Sequence, residues 1–428
     1  MSNSRDSWTG QVGFIIAAAA SAVGLGNLWR FPASAAKGGG GIFLLTYLVL
    51  FFSFGAFLLL TEISIGRATK LSPIEAFRKL SKKWVFLGYF QTIIPFLIMP
   101  YYAVIGGWVI KFLLQYIFVG QVPDGLFGSF VADIPQVVGF MLVFAISTFV
   151  FIFLGVQKGV ERSNKVMMPA LLLITIAMAL FVCLQPGMKE GLRYYFYPDF
   201  SKLTAETALS ALGQMFFSLS LAMGIMITYG SYVPKRTDLP RSAIQIGVCD
   251  TLVAFIAGVV IIPPAFAFGG EALATSAGPG LMFVSLPKIF VEMPFSRFIA
   301  ILFFMLVLFA ALTSSISISE TCTASLADRT KWPRRKAAAV VLVYMLIAAI
   351  PSAVSLNFLD KTDYIVNSIM MPICALLTCV FIGWVVGPKF VKDEVERSHH
   401  KMPFFAYYRV LIRYLAPILV FIIFLGAL

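Results

Sequence analysis

Apolar residues run through this chain in long blocks, with short polar stretches between them. Eleven blocks are long enough to cross a hydrocarbon layer of roughly 30 Å: 13–36, 41–69, 85–117, 135–155, 165–184, 207–233, 240–268, 295–327, 337–355, 362–387 and 404–427. Such blocks predict membrane-spanning helices, because lipid offers backbone groups no partner outside their own segment. The first block departs from this rule. GFIIAAAASAVGLGNLWRFPASAAK, Gly13 to Lys37, carries Gly24, Gly26 and Asn27 near mid-span, with Arg30 and Pro32 just after. Glycines let a chain leave helical geometry, and Pro32 suits the start of a second half-helix. A helix broken at this depth is tolerated only beside protein or a water-filled cavity. It exposes carbonyls suited to a cation at one end and N–H groups suited to an anion at the other. Glycine spacing alone fits close helix packing better; the Asn and Arg that follow favour a binding site.

Block six repeats the pattern. GQMFFSLSLAMGIMITYGSYVPK places Gly213 and Gly224 around Ser218, Leu219, Ser220 and Ala222. It lies five spans after block one, and an odd number of spans inverts the second broken helix relative to the first. The pattern predicts an inverted repeat with a ligand site between the two breaks.

The loops fix an orientation. With the N-terminus and Arg5 in the cytoplasm, the cytoplasmic side holds 22 Lys and Arg residues and the opposite loops hold 7. That bias follows the positive-inside rule and puts the C-terminus outside. Two outer loops are more than connectors. Residues 185–206 are aromatic and tied by Pro186 and Pro198. Residues 269–294 contain an apolar run too short to span, which fits a re-entrant or lid-like hairpin.

Composition agrees with the blocks. The 428 residues are 60% hydrophobic and 12% charged, unlike any soluble globular domain. The net charge of +13 sits in short loops on one side, so it does not point to nucleic acid. No cleavable signal peptide and no appended soluble domain are expected. Cys183, Cys249, Cys322, Cys374 and Cys379 lie in apolar segments without metal-ligand spacing and read as reduced thiols. His399 and His400 read as a solvated patch.

Charges inside spans are costly and are usually functional or paired, which singles out Arg30, Glu62, Asp250 and Glu320. By position alone, Asp250 fits a helix cap slightly better than an ion site. The run ALTSSISISETCTAS, Ala311 to Ser325, fits helix packing, yet Thr313 and Ser314 fall where hard oxygen ligands for a small cation would stand.

Several stretches together resemble the neurotransmitter:sodium symporter family, over nearly the whole chain. They are GLGNLWRFP at Gly24–Pro32, GGGGIF at Gly38–Phe43, TEISIGR at Thr61–Arg67, GQMFFSLSL at Gly213–Leu221, GPGL at Gly278–Leu281 and AALTSSIS at Ala310–Ser317. Gly159 and Pro169, nine residues apart, match the family's unwinding point in its fifth helix, and eleven spans resemble a bacterial subgroup. The resemblance implies an all-α polytopic membrane protein with a leucine-transporter-like 5+5 inverted repeat. Repeat one would cover about 13–184, repeat two about 207–387, and an extra helix about 404–427, all in one transmembrane domain 1–428.

It also implies a site. The first sodium ion would meet the Ala22 carbonyl, Asn27, Ser218, Asp250 and the substrate carboxylate. The second would meet the Ala20, Val23 and Ala310 carbonyls with the Thr313 and Ser314 hydroxyls; oxygen-only shells suit this hard cation. The substrate carboxylate would meet the Leu25 and Gly26 N–H groups and Tyr102, and its amino group the carbonyls around Phe217 and Ser220. Ser21, Ile98, Tyr102, Phe217, Ser220, Ala222, Met223, Ser314 and Ile318 would line the side-chain pocket. Arg30 with Asp363 would close the outer gate, and Arg5 with Asp328 the inner one. Ser218 stands where the family commonly has Thr, Met223 where it has an aromatic, and Asp250 where it has Asn. Ala254 lacks both the Ser of chloride-dependent members and the acid of some chloride-independent ones. A ring of Tyr47, Gln214, Ser218, Asp250 and Ala254 would then already carry its own negative charge.

The expected function is sodium-coupled import of a neutral, hydrophobic or aromatic amino acid by alternating access. Two sodium ions and no chloride are expected, with proton antiport through Asp250 left open. The expected setting is a cell inner (plasma) membrane, with the lipid bilayer, the amino-acid substrate and a compatible homodimer as partners and no nucleic acid. No His, Cys or carboxylate set has catalytic geometry, so no enzyme is expected. The rival reading is an amino-acid-binding membrane sensor without net transport.

Overall fold

The structure, a computed structural model, describes residues 6–274, 280–402 and 404–426. Each of the eleven apolar blocks falls on a helix or a helix pair. We label them α1 (Gln11–Ala22), α2 (Gly26–Lys37), α3 (Gly41–Thr69), α4 (Lys82–Phe118), α5 (Ile134–Phe153) and α6 (Val156–Cys183). There follow α7 (Ala205–Ser218), α8 (Ile225–Ser231) and α9 (Leu239–Ala274). The last are α10 (Ser296–Thr330), α11 (Arg334–Val354), α12 (Leu356–Val386) and α13 (Phe405–Ile422). Among the described residues nine helices are long and apolar enough to cross a membrane, or ten if the α1–α2 pair, bent by 53°, counts as one. The sixth block is the pair α7 and α8, each too short to cross alone.

Burial sorts the helices. The most apolar windows of α4 and α10 are 78% and 72% buried, against 28% for α13. Helices α4 and α10 pack along each other at the centre, and α3 packs on α8. Large apolar side chains such as Val49, Val143, Ile146, Leu173, Val343 and Ile418 point outward. An outward-facing apolar belt on helices that satisfy their own backbones is the surface a bilayer requires. Pro95 and Pro100 in α4 and Pro169 in α6 each remove a ladder bond inside a helix, which the packed surroundings tolerate.

Both outer loops carry structure. Residues 185–206 form helix Lys189–Phe196, whose Tyr195 hydroxyl donates to the Phe255 carbonyl at 2.9 Å, and Pro198 bridges to Gly40. Gly40 has φ 65°, and a Cβ there would stand 2.0 Å from the Tyr194 carbonyl oxygen, so only glycine fits. In the second loop, Leu281–Val291 forms a helix too short to cross; Gly278 and Pro279 of GPGL lie outside the described residues. The five cysteines are free; Cys322, Cys374 and Cys379 are buried and Cys183 is exposed.

Candidate functional site

The break between α1 and α2 falls on Val23, Gly24 and Leu25, where Val23 turns to extended backbone (φ −71°, ψ 104°). The glycines here serve proximity rather than backbone freedom, since neither Gly24 nor Gly26 has positive φ. A Cβ on Gly24 would stand 2.5 Å from Ser314 Oγ, and one on Gly26 would stand 2.3 Å from the Phe217 ring. The Gly24 N–H donates to Asn27 Oδ1 at 3.1 Å, and the Leu25 N–H to the Tyr102 hydroxyl at 3.4 Å.

The second break is wound differently. Between α7 and α8, Ser220 (φ 53°), Ala222 (φ 64°) and Gly224 (φ 70°) all take left-handed backbone. Two are not glycine, a conformation that persists only where its surroundings impose it. Here Glu62 of α3, 3% exposed, accepts the Ala222 N–H at 2.7 Å. The intramembrane acid that the sequence left without a role therefore supports the break.

A cavity of about 400 Å³ opens between the two breaks, α4, α10 and α12; small-molecule sites run from roughly 300 to 1,000 Å³. Eleven of the thirteen expected substrate residues line it: Ser21, Ala22, Leu25, Gly26, Ile98, Tyr102, Phe217, Ser220, Met223, Ser314 and Ile318. The other two do not. Ser218 turns its hydroxyl to Asp250, and the left-handed turn at Ala222 aims its N–H at Glu62.

Two oxygen clusters flank the cavity. In the first, Asn27 Nδ2 donates to Asp250 Oδ1 at 2.7 Å and to the Asp250 carbonyl at 3.2 Å, and Ser218 donates to Asp250 Oδ2 at 2.7 Å. Asp250 is fully buried and lies well inside α9, with Asn27 and Ser218 as its carboxylate partners, so it does not cap a helix end. The Tyr47 hydroxyl faces it without a hydrogen bond of normal geometry, and both amide atoms of Gln214 are buried without a partner. Ala254 is buried and offers no polar atom to the ring. In the second cluster, the Thr313 hydroxyl lies 3.0 Å from the Ala310 carbonyl and 3.5 Å from that of Val23. The Ser314 hydroxyl lies 3.4 Å from the Val23 carbonyl. Ala20 sits buried one turn back in α1. These donors are all hard oxygens, a set that fits an alkali cation carried as cargo.

The expected gates are in different states. Arg30 and Asp363 both line the cavity but do not pair: the guanidinium lies 4.8 Å from the Phe217 ring centroid, and Asp363 accepts from Asn367 Nδ2 at 2.6 Å. Arg5 lies outside the described residues, and Asp328 accepts the Ser72 N–H at 2.8 Å. On that N-terminal face stands a buried cluster, of which the sequence singled out Glu320 alone. Trp8, 2% exposed, donates from Nε1 to the Tyr229 carbonyl and from its backbone N–H to the Tyr232 carbonyl, both at 3.0 Å. The Tyr232 hydroxyl donates to Glu320 at 2.7 Å, and Arg334 grips the same carboxylate with both guanidinium nitrogens. Glu320 was visible as an intramembrane acid; Trp8, ahead of the first span, carried no pattern.

Comparison with known proteins adds lineage. The model of the sodium:neurotransmitter symporter family matches residues 5–123 and 129–428. An uncharacterized sodium-dependent transporter of Bacillus subtilis is 34% identical over 98% of this chain and 97% of its own length. Another, from Haemophilus influenzae, is 31% identical over 99% of this chain and 98% of its own. The crystal structure of MhsT in complex with L-phenylalanine superposes with a TM-score of 0.89 at 36% identity, covering 99% of this chain and 100% of that one.

Proposed function

Since this chain belongs to the sodium:neurotransmitter symporter family, we propose that it imports a neutral, largely apolar amino acid with two sodium ions, by alternating access and without chloride. The family is one of sodium-dependent membrane transporters and not of enzymes. The observation that carries the reading is the pair of oxygen clusters flanking the cavity, around Asp250 and around Thr313. The face holding Trp8 is the cytoplasmic one in this reading, and residues 13–184 and 207–387 are the two inverted repeats.

The division of labour follows from chemistry. N–H groups at the start of α2 and the Tyr102 hydroxyl suit a carboxylate, and the carbonyls around Phe217 and Ser220, at the end of α7, suit an ammonium group. The charges that line the cavity, Arg30, Lys37, Asp360 and Asp363, stand beyond the first turn of α2 and at the start of α12. At the breaks the lining is Ser21, Ile98, Met223 and Ile318, where a charged substrate side chain would be buried without a partner. L-phenylalanine, the amino acid bound to MhsT, is neutral and fits this lining. Asp250 supplies the negative charge that balances sodium. A chloride ion beside that carboxylate would meet repulsion of about 4 kcal/mol at 4 Å and an effective dielectric near 20. Proton uptake by Asp250 on the return step is the natural accompaniment once sodium leaves. A sensor needs no sodium coupling, so the second oxygen cluster favours transport.

The test is uptake of L-phenylalanine into proteoliposomes under a sodium gradient. Wild type should accumulate it equally with chloride or gluconate outside. Thr313→Ala with Ser314→Ala, which removes two hydroxyls and little volume, should abolish sodium-driven uptake. Binding without accumulation by the wild type would favour the sensor; a chloride requirement would remove the role given to Asp250.

A further inference from the structure

Helix α13 carries two arginines inside its apolar block that the transport chemistry leaves unused, Arg409 and Arg413. Arg413 stands about two turns into the helix, a depth at which a cation is costly unless it finds partners or reaches water. It finds one partner: its Nε donates to the Gly383 carbonyl at 2.9 Å. That carbonyl lies in the last, wide turn of α12, Phe381–Val386, which packs on the wide turn Leu411–Leu415 of α13. Glycine eases the approach, since a Cβ at 383 would stand 3.1 Å from the Ile412 carbonyl oxygen and 3.3 Å from Arg413 Cα. The last carbonyls of a helix have no partner within it, so Arg413 caps α12 with one of its nitrogens. Its other two guanidinium nitrogens, and the whole guanidinium of the exposed Arg409, make no hydrogen bond or ion pair with any described residue. In the intervening helix Lys389–Glu396, Glu394 pairs with Arg67 and Arg397, and Glu396 with Lys392. The residue after Gly383 and the residue after Arg413 are both aromatic. Trp384 and Tyr414 are 52% and 53% exposed, with rings 5.8 Å apart and near perpendicular. Trp and Tyr favour the depth at which headgroups meet acyl chains.

We propose that the seam between α12 and α13 binds the phosphate of an anionic phospholipid of the cytoplasmic leaflet. Arg413, oriented by its bond to Gly383, presents its two terminal nitrogens as a fork that matches two phosphate oxygens. Arg409, one turn nearer the cytoplasm on the same face, supplies a second charge. Helical side chains lean toward the N-terminus of their helix, which in α13 is the cytoplasmic end, so both arginines lean toward the headgroups. Trp384 and Tyr414 flank the glycerol region, and the exposed Val410, Leu415 and Ile418 meet the acyl chains. An anion that serves these charges has to tolerate apolar neighbours. A phospholipid does; inorganic phosphate, strongly hydrated, does not. The bound lipid bridges the end of α12 and the start of α13, and so holds the least buried of the nine long described spans to the bundle. The inference takes from the transport reading only that this end of the molecule is cytoplasmic.

Brominated acyl chains quench nearby tryptophans, and Trp384 reports on the seam. The full-length protein is reconstituted in phosphatidylcholine with rising fractions of brominated phosphatidylglycerol or brominated phosphatidylcholine. The Trp384 signal is the difference between wild type and Trp384→Phe. Each arginine near an anionic headgroup contributes about fivefold in affinity, so phosphatidylglycerol should quench Trp384 with an affinity about 25-fold above that of phosphatidylcholine. Arg409→Gln, which disturbs no hydrogen bond or ion pair within the protein, should cut that preference about fivefold. Adding Arg413→Gln should remove the rest, and Arg413→Lys, which keeps the charge and loses the fork, should fall between. Equal quenching by the two lipids overturns the proposal, and so does a preference that survives the double substitution. Loss of the preference on adding inorganic phosphate, but not chloride of equal ionic strength, overturns it in favour of a free anion. If neither lipid quenches Trp384 and the protein cross-links to itself through this face, the seam is a contact between two copies and the proposal falls. Should the double variant fail to fold, the Arg409→Gln result decides alone. None of these readouts needs sodium or an amino acid, so a failure of uptake refutes the transport reading and leaves the lipid result standing.

Discussion

The two ends of the cavity are flanked by different kinds of contact. At the N-terminal mouth, Trp8 donates to the Tyr232 carbonyl, the Tyr232 hydroxyl donates to Glu320, Arg334 grips the same carboxylate, and Glu161 holds Thr9 beside Trp8. At the opposite mouth two side chains of opposite charge line the same space and do not meet; each has another partner, the Phe217 ring for Arg30 and the Asn367 amide for Asp363. An exposed or half-exposed cation–π contact is worth about 0.5–2 kcal/mol, so that mouth can change state at little cost. A seal whose parts are buried and interdependent opens only when several contacts are given up together. The two ends therefore differ in what it costs to rearrange them.

The comparison can be broken at its strongest point first. Trp8→Ala removes a buried indole and should cost about 3–5 kcal/mol, enough to open the N-terminal mouth. A cysteine placed at Ala18 should then react with a maleimide added from that side and stay protected otherwise; protection unchanged in Trp8→Ala would show that Trp8 is not the seal. Glu320→Gln comes next. It keeps a partner for Tyr232 but loses the charge opposite Arg334, which is a quarter exposed, and should cost about 2 kcal/mol, read as a lowered unfolding temperature. Asp363→Asn should have the smallest effect on stability, below about 1 kcal/mol, because no ion pair is lost. It should slow transport more than it weakens binding, since its charge matters when the mouth shuts. An unfolding temperature lowered as far as in Glu320→Gln would erase the difference between the mouths.

Much of this was legible in the chain. Block lengths and polar interruptions located the spans and both breaks, because a polar atom inside an apolar block has few permitted explanations; the grouping of Asn27, Ser218 and Asp250 came only with the family resemblance, since position alone favoured a helix cap for Asp250. Other parts were hidden for physical reasons. Glu62 and Glu320 could be flagged as costly, but their partners lie 160 and 88 residues away, and no local pattern encodes such distances. Left-handed backbone at Ser220 and Ala222 is imposed by packing, so residues with no preference for it gave no sign. The glycines at 24 and 26 were read as hinges and are instead clearances for Ser314 and Phe217. Trp8 and Thr9 precede the first span, where periodicity says nothing. The separation of Arg30 from Asp363 belongs to one conformation, and a sequence specifies all of them at once.

The bond between Glu62 and the Ala222 N–H also sets a timetable for biosynthesis. Glu62 enters the membrane with α3, and a carboxylate within a span is expensive there. Its partner is 160 residues further on, which at 5–20 residues per second takes roughly 8 to 32 s to synthesise. For that interval the nascent chain holds an intramembrane acid whose eventual neighbour does not yet exist. Assembly therefore cannot proceed by locking each helix as it emerges. The central packing has to wait for the sixth segment, and the half-made protein depends on water, on lipid headgroups or on the insertion machinery to shelter Glu62 until then.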